Sequence, residues 1–77
     1  MRQIFTRNKK KIEFNGHTRF RIDRAEGRSY KGVYVDVKHP KEAFAFFDDL
    51  PIKNNQRKRI IMIHEGATKQ LEMKRAA

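Results

Sequence analysis

The sequence predicts a small α+β domain: an antiparallel β-meander packed on one helix, with a C-terminal β-hairpin or a second helix completing the core. Two observations support this fold class. Apolar and polar residues alternate in Lys10–Phe14 and in residues 18–22 and 30–37, as expected for half-buried strands. In residues 40–50 the apolar spacing changes to that of a helix.

The first two strands are predicted to form a hairpin around Asn15-Gly16, a strong hairpin signal. A two-residue turn would place Ile12 opposite Arg19. A three-residue loop over residues 15–17 instead pairs Ile12 with Phe20, which keeps the apolar side chains on one face. We therefore expect the longer loop.

The clearest strand is predicted over residues 30–37. Its valines, at positions 33, 35 and 37, point to one face, whereas Tyr34 and Asp36 point to the other. On the preceding strand, Arg19 and Arg21 also point away from the core. Residues 23–29 contain Gly27 and several charged residues, so we expect an exposed loop between the two strands.

The helix is predicted over residues 40–50. Pro40 suits the first helical position, and Pro51 disfavours helical geometry at Leu50. Phe44 is expected at the flank of the apolar stripe. The stripe itself is predicted to contain Ala43, Phe46, Phe47 and Leu50.

Two structures are open for the segment after Pro51. Residues 59–64 are rich in isoleucine, and a turn at Glu65-Gly66 would pair them with residues 69–74, burying Leu71 and Met73. The same segment can be drawn as a helix with an apolar stripe. The β-branched isoleucines favour the hairpin.

The length of 77 residues corresponds to one domain. We expect a basic N-terminal arm at residues 1–9, a single domain at 10–74 and a frayed tail at 75–77. Cysteine is absent and the three histidines are far apart in sequence, so we expect neither disulfides nor a metal, and no cofactor. So small a core can be supplemented by a bound partner or a homodimer.

The net charge of +10 at pH 7 predicts a polyanionic partner. Arginines next to a strand tyrosine suit single-stranded nucleic acid, because rings stack on bases while guanidinium groups contact phosphates. We therefore expect RNA or single-stranded DNA rather than duplex DNA, with low sequence specificity. The candidate binding residues are Arg7, Lys9, Lys10, Lys11, Arg19, Arg21, Arg24, Arg28, Tyr30, Lys31, Tyr34, Lys53, Arg57, Lys58 and Arg59.

One catalytic alternative comes from a resemblance. Gly-His-Thr-Arg-Phe at residues 16–20 and the later stretch from Gly32 to His39-Pro40 resemble the Gly/His strand and the His-Pro strand end of the HicA-type messenger-RNA-cleaving toxins. The resemblance implies a small sheet related to double-stranded-RNA-binding domains. It also implies that His17 acts as acid or base on a ribose 2′-hydroxyl. The chain departs from this family in having no evident N-terminal helix and in residues 40–50, which would be an insertion.

The sequence leaves a third class open, a regulator of the kind found in phages and mobile elements. Such a protein would dock on a host enzyme that processes nucleic acid, or on the RNA complex of that enzyme. The basic face would then meet an acidic protein surface. The chain has no Gly-rich phosphate loop and no cysteine nucleophile, so we expect a non-catalytic protein. We expect it to be cytoplasmic and without a membrane role, because neither an export signal nor a long apolar run is visible.

Overall fold

The computed structural model describes residues 2–76 and confirms the α+β class with its C-terminal hairpin. A four-stranded antiparallel sheet has the strand order β4-β3-β5-β6, and β1 and β2 form a separate two-stranded hairpin. The single helix in the described residues, α1, packs on one face of the larger sheet. The elements are β1 (Gln3–Arg7), β2 (Lys10–Phe14), β3 (Thr18–Glu26), β4 (Ser29–Val37), α1 (Pro40–Asp49), β5 (Gln56–His64) and β6 (Ala67–Arg75).

The core lies between the sheet and α1, with the β1–β2 hairpin closing one side. His39 caps the start of the helix, where its Nδ1 accepts a hydrogen bond from the backbone N–H of Lys41 at 3.1 Å. Within residues 2–76, no helix is long and apolar enough to cross a membrane. The core cluster consists of Ile12, Phe20, Ile22, Ala43, Phe44, Phe47, Ile60 and Leu71.

The predicted hairpin between the strands at residues 10–14 and 18–22 is wrong. β2 pairs with β1, and β3 pairs with β4 on one side and β5 on the other. Both edges of β3 are therefore occupied, and none remains for β2. The hairpin turn lies instead at Asn8 and Lys9, whose φ angles of 50° and 66° are typical of a tight two-residue turn.

The residues expected in a basic arm and in a frayed tail are held in the fold. β1 is anchored because Phe5 packs against Phe44, with ring centroids 5.8 Å apart. Arg75 ends β6, and the backbone N–H of Ala76 donates to the carbonyl of Gln56 at 3.0 Å. Positions 1 and 77, also assigned to the arm and the tail, lie outside the described residues.

The expected exposed loop at residues 23–29 is also wrong. β3 continues to Glu26, β4 begins at Ser29, and only Gly27 and Arg28 lie between these paired residues. Asp23, which was expected in the loop, lies within β3 and is completely buried. The extra length of β3 comes from its pairing with β4 and β5, which outweighs the polar local sequence.

The helix was placed correctly, and Ala43 and Phe47 of the predicted stripe are buried, but the buried face is shifted towards Phe44. Phe44 and Phe47 are buried, whereas Phe46, assigned to the core stripe, is 46% exposed. The β1–β2 hairpin covers the flank of α1 that carries Phe44, through Phe5 and the guanidinium group of Arg7. The prediction failed because it treated the sheet as the only surface that the helix packs against.

Candidate nucleic-acid interface

The face of the four-stranded sheet opposite α1, called the open face below, collects six of the fifteen predicted site residues. On β3, Phe20 and Ile22 face the helix, so Arg19 and Arg21 face the other way. The cross-strand register brings arginines of β5 and β6 and tyrosines of β4 onto the same face. Its arginines and tyrosines are Arg19, Arg21, Arg57, Arg59, Arg75, Tyr30 and Tyr34.

Tyr34 is the exposed aromatic ring of this face. Its side chain lies opposite Arg21 in the β3–β4 pairing, and the residue is 54% exposed. Arg21 donates a hydrogen bond from Nη1 to the Tyr34 hydroxyl at 3.0 Å. The guanidinium carbons of Arg21 and Arg19 lie 5.1 and 5.5 Å from the ring centroid. The arrangement leaves a ring surface open to solvent beside two cationic groups.

Tyr30 differs from Tyr34 in being less exposed and in having an arginine closer to its ring. The guanidinium carbon of Arg59 lies 3.7 Å from the Tyr30 ring centroid. Arg57 donates from Nε to the Tyr30 hydroxyl at 3.2 Å, and this hydrogen bond lowers the pKa of the phenol. Arg57 also donates to the carbonyl of Gly27. Tyr30 therefore orients two arginines.

Asp23 organises the centre of the open face. Its buried carboxylate accepts hydrogen bonds from Nε of Arg21 at 2.7 Å and from Nε of Arg59 at 2.9 Å. Gly32 lies opposite Asp23 on β4, and a Cβ at position 32 would overlap the Asp23 carboxylate. The carboxylate thus fixes two guanidinium groups, one on β3 and one on β5. Each bond uses only the Nε donor, so the Nη donors of both arginines are not bonded to Asp23.

A second carboxylate lies at the rim of the open face. Asp36 accepts a hydrogen bond from Nε of Arg19 at 3.0 Å, and this contact holds the pKa of the carboxyl below its usual range. His17, in the loop before β3, adds the smallest contribution to that lowering. On the open face, five arginines therefore stand against Asp23 and Asp36, which leaves the face positive.

Two predicted site residues are engaged on the helix side. Lys58 is buried on β5 and donates to the carbonyls of Phe47, Asp48 and Leu50, at the end of α1. Burial lowers its pKa. Lys58 is therefore not part of the solvent-accessible basic surface, because its ammonium group is hydrogen-bonded to the carbonyls at the end of α1.

The guanidinium group of Arg7 is also hydrogen-bonded within the fold. It bonds the carboxylates of Asp48, on α1, and Glu72, on β6, and these contacts raise its pKa. Arg7 thereby ties the β1–β2 hairpin to the helix and to the sheet.

The remaining predicted residues lie outside the open face. Lys9, Lys10 and Lys11 are exposed on the β1–β2 hairpin. Arg24 and Lys31 lie on the helix side of the sheet, where Arg24 donates to the carbonyl of Pro51 at 3.2 Å. The turn after β3 carries Arg28, and the loop before β5 carries Lys53.

Sequence reasoning missed Arg75 and misplaced Met73. Arg75 lies opposite Arg57, and Met73, expected in the core, lies opposite Arg59 on the open face. A register shift between Ile60 and Ile61 makes Leu71 an extra residue in β6, so Leu71 is buried while Met73 turns outward. Alternation along β6 alone gives no sign of such a bulge.

Among residues 2–76, no three histidine, aspartate or glutamate side chains come close enough to hold a metal ion. Comparisons of the chain with protein-family models, with curated proteins and with solved structures gave no match.

Proposed function

We propose that the open face binds single-stranded nucleic acid, RNA or DNA, with low sequence specificity and without cleaving it. The observation that carries this proposal is the exposed Tyr34 ring beside Arg19 and Arg21. A base can stack on the ring while the guanidinium groups contact the adjoining phosphates. The binding needs no cofactor, and we assign it to the cytoplasm.

The fixed positions of the arginines support the same proposal. Asp23 and Tyr30 hold Arg21, Arg57 and Arg59 through hydrogen bonds, so these side chains lose little conformational freedom when a ligand binds. Five guanidinium groups on one face also make the interaction sensitive to salt, because each neutralised phosphate releases counterions.

Single strands fit this face better than a duplex does. The open face is made of strands alone, while α1 lies on the other side of the sheet and carries Asp48 and Asp49 in its last turn. These carboxylates would repel a phosphate backbone, so α1 is a poor candidate for a helix that enters a groove.

The first test is a fluorescence anisotropy titration with single-stranded RNA, single-stranded DNA and duplex DNA at several salt concentrations. We expect both single strands to bind more tightly than the duplex. The log–log salt slope should be several units, because each neutralised phosphate contributes about −0.7 on single strands. A slope near −1 or weaker would contradict a polyanion site. No binding at physiological salt would instead favour the acidic surface of a host enzyme as the partner.

The second test separates stacking from charge. Tyr34→Ala should weaken binding about 5- to 150-fold, the range expected for one stacked base, and leave the salt slope unchanged. Arg19→Gln should make the slope shallower by about 0.7. Lys41→Gln removes the same charge from the exposed start of α1 and is the matched control, for which the slope should not change.

The third test concerns catalysis. RNA incubated with excess protein and a metal chelator should remain intact on a gel. Cleavage that disappears in His17→Ala would instead favour the ribonuclease activity implied by the HicA resemblance.

A further inference from the structure

The two edges of the four-stranded sheet differ in how they are protected. β6, at one edge, carries Lys69, Glu72, Lys74 and Arg75, and the β1–β2 hairpin reaches it through the bond from Arg7 to Glu72. β4, at the other edge, is nine residues long and carries only Lys31 and Asp36 as charged residues. Charged residues and covering segments are the usual means of blocking an edge strand, and β4 has little of either.

An exposed apolar strip adjoins the β4 edge. Val33, near the middle of the strand, is 48% exposed, and Phe46 of α1 is 46% exposed. The two residues line one shallow cleft together with Ile22 and Leu50, and Arg24, Lys31 and Gly32 complete its lining. The strip lies on the helix side of the sheet, so it is separate from the open face.

We propose that β4 pairs antiparallel with β4 of a second copy of this chain, about a two-fold axis at Val33. Such an isologous contact requires a strand that is complementary to itself. With Val33 opposite Val33, Tyr30 lies opposite Asp36 of the second copy. Lys31 lies opposite Val35 of the second copy, so no two like charges face each other across the axis.

This register produces favourable contacts on both faces of the joined sheet. On the open face, Asp36 of one copy approaches Tyr30 of the other, where Arg57 and Arg59 add positive charge. On the helix side, the two Val33 side chains meet beside the two Phe46 rings and remove four exposed apolar groups from water. The two sheets join into one of eight strands, and their open faces form one continuous surface.

Charge opposes this association, which gives the dimer a characteristic salt dependence. Two chains of +10 repel each other, and added salt screens that repulsion. We therefore expect the dimer to become stronger as salt rises, whereas nucleic-acid binding becomes weaker. The two proposals can fail independently, because dimerisation is measured without nucleic acid.

The experiment is sedimentation equilibrium of the full chain from micromolar to millimolar concentration, at low and high salt. We expect a monomer–dimer equilibrium that shifts to dimer at high salt and is lost in Val33→Lys. Thr68→Lys, a similar change on the β6 edge, is the control and should dimerise normally. A chain that stays monomeric throughout would overturn the proposal, as would a dimer that survives Val33→Lys.

The position of the two-fold axis can be tested by disulfide cross-linking. The chain contains no cysteine, so a single introduced cysteine can pair only with its copy in the second chain. In Val33→Cys the two Cα atoms across the axis would be about 4.5–5.5 Å apart, within the range for a disulfide. In Lys31→Cys they would be about 13 Å apart, which is too far. Mild oxidation should therefore cross-link only Val33→Cys. Equal cross-linking of both variants, or of neither, would overturn the register.

Discussion

On β3, the side chains of Phe20 and Ile22 point to α1 and are at most 1% exposed, while Arg19 and Arg21, their neighbours in sequence, point to the open face. The helix side is held by apolar burial. The open face is held by hydrogen bonds that converge on Asp23. The comparison shows that apolar burial stabilises one side of the sheet, while the arginines on the other side keep N–H donors beyond those that their hydrogen bonds use.

Among substitutions on the helix side of the sheet, Phe47→Ala is expected to reduce the stability of the domain most. Phe47 is fully buried, and removal of a buried phenylalanine side chain costs about 3–5 kcal/mol. That is most of the stability of a domain this small, so we expect a largely unfolded protein. Urea denaturation followed by circular dichroism measures the loss. Phe46→Ala, the neighbouring exposed position, is the control and should shift the midpoint little.

The open face has a buried charged group, Asp23, whose loss should be nearly as large. Asp23→Asn removes the charge that pairs with Arg21 and Arg59, at an expected cost of about 2–4 kcal/mol. The arginines keep partial access to water, so the cost stays below that of a fully enclosed pair. Asp36→Asn, at the exposed rim, should leave the denaturation midpoint in place. A stable Asp23→Asn variant would show that Asp23 does not hold the open face together.

Acid should weaken the contact between the hairpin, the helix and the sheet. Arg7 lowers the pKa of Asp48 and of Glu72 below their ordinary values of 3.8 and 4.5. The folded state therefore binds these protons less readily than the unfolded state, and stability falls as the pH drops through about 4.5 and below. Denaturation midpoints from pH 7 to pH 3 should fall less steeply in Arg7→Gln. Parallel curves for the two proteins would assign the acid sensitivity to other carboxylates.

The smallest effect on stability is expected at the exposed arginines of the open face. Arg19→Gln removes only a solvent-exposed ion pair with Asp36. Its thermal midpoint should match that of the wild type, while its affinity for single strands falls. A lowered midpoint would show that Arg19 stabilises the fold.

Local periodicity predicted the open face well. The two-residue alternation of β3 and β4 was enough to place Arg19, Arg21 and Tyr34 away from the core. Burial of Asp23 and recruitment of Arg75 depend on which strands pair and in which register. Strand pairing and register are long-range properties, and the local sequence pattern around Asp23 or Arg75 does not predict them.

The misplaced hairpin has a similar cause. Asn15-Gly16 is the stronger local turn signal, yet the chain turns at Asn8-Lys9 and uses residues 15–17 to cross from the small sheet to the large one. The edge of β3 that β2 was expected to occupy is taken by β5. This strand begins at Gln56, far along the chain from both turn signals. The same error hid β1, and with it the cover over Phe44.

Lys58 has a consequence for the order in which the chain acquires its structure. The last turn of α1 contains no basic residue of its own, and the carbonyls at its end accept hydrogen bonds from a lysine of β5. On the ribosome, α1 emerges before Lys58 does, with those carbonyls exposed to water. Water can satisfy these carbonyls until β5 has been synthesised and has docked, so the end of α1 gains its hydrogen bonds from Lys58 only with the last third of the chain.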